Sequence, residues 1–137
     1  MNEAFLGTSF AIALSSLTDR NHLQAIELAN QLEDKRTRLV TTQAILLEIG
    51  NAISKESYRI AAVQLLESLE ADPNVEAVLL TGDLYTTAFN LFKQRNDKEW
   101  GLVDCISFIV MQNRGITDAL TADKHFNQAG FRALLSN

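Results

Sequence analysis

Apolar residues recur along this chain with two alternating rhythms. Short apolar runs fall near Phe5-Leu6, Leu39-Val40, Val75–Leu80, Ala119-Leu120 and Phe131–Leu134, each of strand length. Between them, apolar residues return every three or four positions. These stretches predict helices over roughly Asn21–Asp34, Thr42–Ile53, Glu56–Glu70, Asp83–Arg95 and Leu102–Asn113. Strands alternating with helices predict an α/β fold built on a parallel sheet. In the first helix Leu23, Ile26, Ala29 and Leu32 form one apolar stripe over a polar back. The last helix differs. Its Leu102, Val103, Cys105, Ile106, Phe108, Ile109, Val110 and Met111 surround the axis, which predicts a largely buried element. Gly101 can serve as its N-cap, with Trp100 packing back onto the first turn.

Length and composition narrow the class without naming a function. The 137 residues suit one domain, 1–137. A content of 47% hydrophobic and 21% charged residues is that of a globule, not of a disordered chain. Cys105 is the only cysteine, which excludes an internal disulfide framework or a cysteine-rich zinc site and suits a reducing cytosol. The apolar stretch Ala4–Leu14 lacks a basic leader and a cleavage site, so a signal peptide is not expected. No run approaches the ~18 apolar residues of a membrane span. The expected location is therefore cytoplasmic. A net charge of −5 argues against coating nucleic acid through bulk electrostatics. It leaves room for an enzyme whose acids hold cations. Neither a phosphate-binding Gly-x-x-x-x-Gly-Lys loop nor a dinucleotide Gly-x-Gly-x-x-Gly fingerprint occurs.

The informative residues are acids in apolar settings. Ile45, Glu48, Ile49 and Ala52 share one helix face, so Glu48 points with the apolar stripe. A buried carboxylate needs a partner, a hydrogen bond or a metal; the alternative is a stripe-edge Glu reaching solvent or a basic residue. Asp104 lies in the third position of the helix opened by Gly101, where free N–H groups favour a carboxylate. An ordinary helix-start acid would look the same. Asp123 follows the Ala119-Leu120-Thr121 strand, on the side of the sheet where ligands collect; a plain turn aspartate is the alternative. Three such acids, if they converge, suit Mg²⁺ or Mn²⁺. Asp118, before the same strand, belongs to the opposite end of the sheet.

Four blocks resemble a known family. The segment 1–10, containing Phe5-Leu6-Gly7-Thr8-Ser9, is similar to the first strand of PIN domains, usually "FLDTS". Leu39–Glu48 is similar to their second strand and glutamate-bearing helix, and Trp100–Phe108 to their "S-x-x-D" helix start. Ile116–Phe126 resembles their closing "LT-x-D-x-x-F" motif. The resemblance, to PIN domains of the VapC toxin kind, implies a three-layer fold with a central parallel sheet flanked by helices. It implies Mg²⁺- or Mn²⁺-dependent hydrolysis of RNA phosphodiester bonds. Glu48, Asp104 and Asp123 would be the catalytic metal-site residues, with Thr8 and Thr121 as supporting hydroxyls. An antitoxin protein that holds the toxin inactive, and a homodimer, are the partners it implies.

Two positions depart from that pattern. Gly101 replaces a serine that is not a primary ligand. Gly7 stands where the family carries its first aspartate, removing a charge and a direct ligand. The expectation is weakened metal affinity and slowed or lost hydrolysis; the alternative is an inactive domain that binds RNA or antitoxin. Other candidates have plainer explanations. His22 and His125 read as surface or core residues, and Cys105 as a packing residue. Lys35, Arg36 and Arg38 form a basic cluster that a solvated loop explains, while Lys124 and Arg114 are candidates to face substrate.

Overall fold

The computed structural model describes residues 2–135; Met1 of the first motif block, and 136–137 of the expected domain, lie outside the described residues. Five parallel strands form one sheet in the order β3-β2-β1-β4-β5. They are β1 (Glu3–Leu6), β2 (Arg38–Thr42), β3 (Val75–Val78), β4 (Asp118–Leu120) and β5 (Arg132–Ala133). Seven helices flank the sheet: α1 (Thr8–Ser15), α2 (His22–Asp34), α3 (Gln43–Ala52), α4 (Arg59–Ala71), α5 (Gly82–Gln94), α6 (Leu102–Arg114) and α7 (Lys124–Gln128). This is the expected three-layer α/β architecture. The central strand β1 is buried on both faces, with Phe5 fully covered, as parallel sheets require. Among the described residues no helix is long and apolar enough to cross a membrane.

The strand order fixes where a ligand can sit. The chain steps from β1 to β2 and β3 on one side, then returns to place β4 on the other side of β1. That reversal opens a crevice beyond the carboxyl ends of β1 and β4. Gly7 and Thr121 stand at its two lips, and the Gly7 N–H donates to the Leu120 carbonyl at 3.0 Å.

Several elements differ from the sequence pattern. The apolar stretch after Phe5-Leu6 is not one element, because Gly7 (φ −97°, ψ 168°) ends the strand and caps the unanticipated α1. Phe10, Ala11 and Ala13 bury one side of that helix. The helix foreseen from Glu56 begins as a single 3₁₀ turn, Glu56–Tyr58, before α4. Strand β3 stops at Val78 because Thr81 caps α5, its side chain accepting from Leu84 N at 3.1 Å. The buried stripe of α2 is rotated from the expected one. Ala25 is fully buried and Leu28, Ala29 and Leu32 pack on the core, while Leu23 is 80% exposed and Ile26 also faces outward.

Helix α6 is the core element its pattern predicts. Phe108 is buried against Trp100 and Phe126, with ring centroids 5.0 Å away in edge-to-face contacts, and against Phe131 at 5.7 Å. Its end is a Schellman stop. Gly115 takes φ 69°, Ile116 N donates to Met111 O at 2.9 Å, and Gly115 N to Gln112 O at 3.2 Å.

Candidate metal centre at the carboxyl edge of the sheet

Three local motifs bring acids to the crevice. The first is at α6. Asp104 in the third position turns its carboxylate back so that Oδ2 accepts from the Gly101 N–H at 3.0 Å. This interaction uses an orphan donor of the helix start and fixes the side chain. The second is the β4–α7 turn. Asp123 N donates to Thr121 Oγ1 at 3.1 Å, and Asp123 Oδ1 accepts from His125 N at 2.8 Å, so Asp123 caps α7. Phe126, buried between Phe5 and Phe108, anchors that short helix to the core. The third is α3, capped by the buried Thr42 hydroxyl, which accepts from Ile45 N at 3.1 Å. It sets Glu48 half-buried beside α1, where the Thr8 hydroxyl donates to Glu48 Oε1.

Serine 9 joins the two halves. Its Oγ accepts from Ala122 N at 2.9 Å and lies 3.1 Å from the Thr121 hydroxyl. The start of α1 is thereby latched to the turn that carries Asp123. Gly7 sits at the centre of this latch. A Cβ there would lie 3.1 Å from both Leu120 O and Thr121 Cβ, and 3.4 Å from Thr121 Oγ1. A side chain at position 7 would therefore start out toward the Asp123 turn, at the cost of a displacement of a few tenths of an ångström.

The closest cluster is Asp104, Asp123 and His125, whose candidate donor atoms all lie within 4.8 Å of one another. His125 Nδ1 is 3.0 Å from Asp104 Oδ2 and 3.5 Å from Asp123 Oδ1. Glu48 stands outside this group of three. Among the described residues none of the three carboxylates makes an ion pair with Lys or Arg. Half-buried acids without fixed basic partners, joined by one imidazole, form a donor set that fits a divalent cation. His125 thus has a different place from the surface or filler role its sequence suggested. The sequence signal was its position two residues after Asp123 at a helix start; its partner Asp104 is 21 positions distant.

The other sequence candidates lie elsewhere. Arg114 does not face the acids. It binds Glu76, with Nη1 to Oε1 at 3.0 Å, and reaches Glu3 at 3.5 Å, at the amino end of the sheet. Asp118 is there too, held by Arg132 at 2.9 and 3.0 Å. A cleft of about 480 Å³ at that pole has Glu3, Arg114, Asp118 and Arg132 among its lining residues. Lys35, Arg36 and Arg38 precede or open β2, so they share that pole, away from the acids. Lys124 is exposed at the start of α7. His22 is buried, its Nδ1 2.7 Å from the Ala13 carbonyl. Burial, then the adjacent Asp104 carboxylate, push the Cys105 thiol up, so it stays protonated and packs as a small core residue.

The fold agrees with the chain's similarities. Residues 4–132 match the PIN domain, and the chain belongs to the PIN-domain family. Its relatives there include the 23S rRNA-specific endonuclease VapC20 of Mycobacterium tuberculosis, 30% identical over 128 residues, 93% of this chain and 94% of that protein. The crystal structure of VapC20, a sarcin-ricin loop cleaving toxin, matches with TM-score 0.81 and 28% identity over 93% of this chain and 95% of that one. VapBC2 from Rickettsia felis, bound to a promoter DNA fragment, matches with TM-score 0.67 over 96% of each chain. At 14% identity it is a likeness of fold alone. The family expected from the four sequence blocks is the family found, and its VapC-type members are toxin endonucleases.

Proposed function

We propose that residues 1–137 form one cytoplasmic PIN domain acting as a toxin-type endoribonuclease, dependent on Mg²⁺ or Mn²⁺ and attenuated by Gly7. The observation that carries the reading is the approach of Asp104 and Asp123 at the sheet's carboxyl edge. They do so in a fold that matches the crystal structure of a sarcin-ricin loop cleaving toxin over 95% of that chain. In this reading Asp104 and Asp123 hold the cation, and Glu48 faces them across the crevice as the third acid. Thr8 orients Glu48 through its hydroxyl, and Thr121 holds the Asp123 turn. A bound divalent cation would lower the pKa of an attacking water and neutralise charge on the phosphate. Phosphate approaching three carboxylates is repelled without such a cation, so the acids themselves make hydrolysis cation-dependent.

Gly7 limits the rate. It supplies no oxygen, and the hydroxyls beside it are already engaged, Thr8 with Glu48 and Ser9 with Thr121 and Ala122. The test is RNA cleavage with Mg²⁺ or Mn²⁺ by the chain as encoded and by Gly7→Asp. The 23S rRNA cut by VapC20 supplies the first substrate to assay. At least a tenfold faster reaction in the variant is expected; equal rates would refute attenuation. Gly7 also favours one other reading, a catalytically inactive domain that binds RNA or an antitoxin. No cleavage by the encoded chain, with RNA or antitoxin binding retained and cleavage gained in Gly7→Asp, selects it. A homodimer and a cognate antitoxin are the partners proposed. The outward aromatic row Tyr85, Phe89 and Phe92 on α5 offers apolar surface for such contacts.

A further inference from the structure

We propose that His125 is a nitrogen ligand of the cation site, shifting its preference from Mg²⁺ toward Mn²⁺ and other first-row transition ions. The inference rests on the reading of Asp104 and Asp123 as cation-binding residues. Three observations carry it. His125 Nδ1 lies 3.0 Å from one carboxylate and 3.5 Å from the other. Adjacent donors around an octahedral ion with bonds of about 2.1 Å stand about 3 Å apart, so one ion can be shared with little movement. The residue is also anchored beside the two carboxylates. His125 N is tied to Asp123 Oδ1 at 2.8 Å, Phe126 beside it is buried in the core, and Asp104 is held by the Gly101 N–H. Finally, Gly7 leaves the mouth of β1 without a carboxylate, so the remaining set is poorer in oxygen and relatively richer in nitrogen.

Donor chemistry gives the direction of selectivity. Mg²⁺ favours oxygen ligands and gives up its waters reluctantly. Imidazole binds Mn²⁺ and later first-row ions more readily than it binds Mg²⁺. With its proton on Nε2, the ring presents a lone pair at Nδ1 toward the two carboxylates. When no cation is bound, the tautomer with its proton on Nδ1 donates to Asp104 Oδ2, which keeps the ring aimed at the site. Cation binding selects the tautomer with its proton on Nε2. Asp104 and His125 then form one clamp closed from two helices, α6 and α7.

The experiment uses the full chain with Mn²⁺ alone. Pulsed electron paramagnetic resonance of the Mn²⁺-bound chain should show modulation from a directly coordinated ¹⁴N nucleus. Calorimetric competition should give Mn²⁺ binding at least tenfold tighter than Mg²⁺. His125→Ala should abolish the nitrogen signal and weaken Mn²⁺ about tenfold while changing Mg²⁺ affinity less than twofold. His125→Asn, which keeps a hydrogen-bonding side chain next to Asp104, should lose the signal in the same way. Bound Mn²⁺ without nitrogen modulation would overturn the proposal, as would equal loss of both ions in His125→Ala. In either case the cation site itself survives, provided Asp104→Asn removes binding. No Mn²⁺ binding by the parent chain or by Gly7→Asp overturns both the ligand assignment and the metal-centre reading beneath it.

Discussion

Position 7 concentrates two opposing physical effects in one missing side chain. A β-carbon there meets the Leu120 carbonyl and the Thr121 side chain at 3.1 Å, so glycine relieves crowding where β1 and β4 meet. It also spares this acidic edge of the sheet a further negative charge. Gly7→Asp should therefore lower metal-free stability by about 1 kcal/mol or more, through crowding and like-charge repulsion. Saturating Mn²⁺ should reverse that loss, because a bound cation stabilises the state that holds it. Thermal denaturation with and without Mn²⁺ checks both signs. A second prediction concerns Asp104. Asp104→Asn removes the charge yet keeps an oxygen for the Gly101 N–H, so the fold should persist while Mn²⁺-induced stabilisation disappears in the same measurement. Cys105, beside it, should react with a thiol reagent at neutral pH only on unfolding, since burial and the Asp104 charge both keep the thiol protonated.

At the scale of elements, α6 ties the site to the core. Its first turn holds Asp104, and about one turn further on Phe108 packs against Phe126, the anchor of α7 and hence of Asp123 and His125. Phe108→Ala should cost about 3–5 kcal/mol in urea denaturation. It should also weaken Mn²⁺ binding although it touches none of the donors. Gly115→Ala, at φ 69°, should cost about 1 kcal/mol through the left-handed cap alone and leave Mn²⁺ affinity unchanged. The sequence displays α6 clearly because its apolar residues cover the whole axis, and it displays the strands because each is a short apolar run. Helix α1 is hidden for a specific reason. Phe5-Leu6 and Phe10–Leu14 are apolar on both sides of a three-residue break, and period alone does not say that the break is a cap. Helix α7, only five residues long, shows less than two turns of any period. The stripe of α2 is misread because Leu23 and Ile26 outweigh Ala25 on a hydropathy scale, whereas close packing on α1 selects the small residue. The positions of Glu48, Asp104 and Asp123 follow from motif and helix register. The role of His125 does not, since its contact with Asp104 exists only once the sheet is closed.

On the scale of the molecule, charge is sorted between the two ends of the sheet. Among the described residues Glu48, Asp104 and Asp123 at the carboxyl end pair with no Lys or Arg; the amino end holds Arg114 with Glu76 and Glu3, and Arg132 with Asp118. The hydrogen bond from Arg114 is the main reason the Glu76 carboxyl lies below its ordinary value of 4.5, against an opposing contribution from burial. A depressed folded-state value means that this stabilisation is complete above about pH 4.5 and is lost as pH falls through the lower folded value. Glu76 is 43% exposed, so solvent screening limits the contribution to about 1 kcal/mol or less. Glu76→Gln should flatten the acid limb of the stability–pH curve, and raised salt should shrink the difference between parent and variant. Mn²⁺ affinity should not respond, because the pair lies at the other pole.

The bridge between Ser9 and the Thr121 turn spans 112 positions of sequence. Residues 7–9 are synthesised well before residues 118–125, so the two lips of the crevice meet only after the segments between them have been made. Contacts this distant in sequence are late and slow to form. That order decides when the proposed centre can assemble. A chain interrupted between α3 and β4 carries Glu48 but neither Asp123 nor His125, and therefore lacks the donors on which the proposed cation site depends.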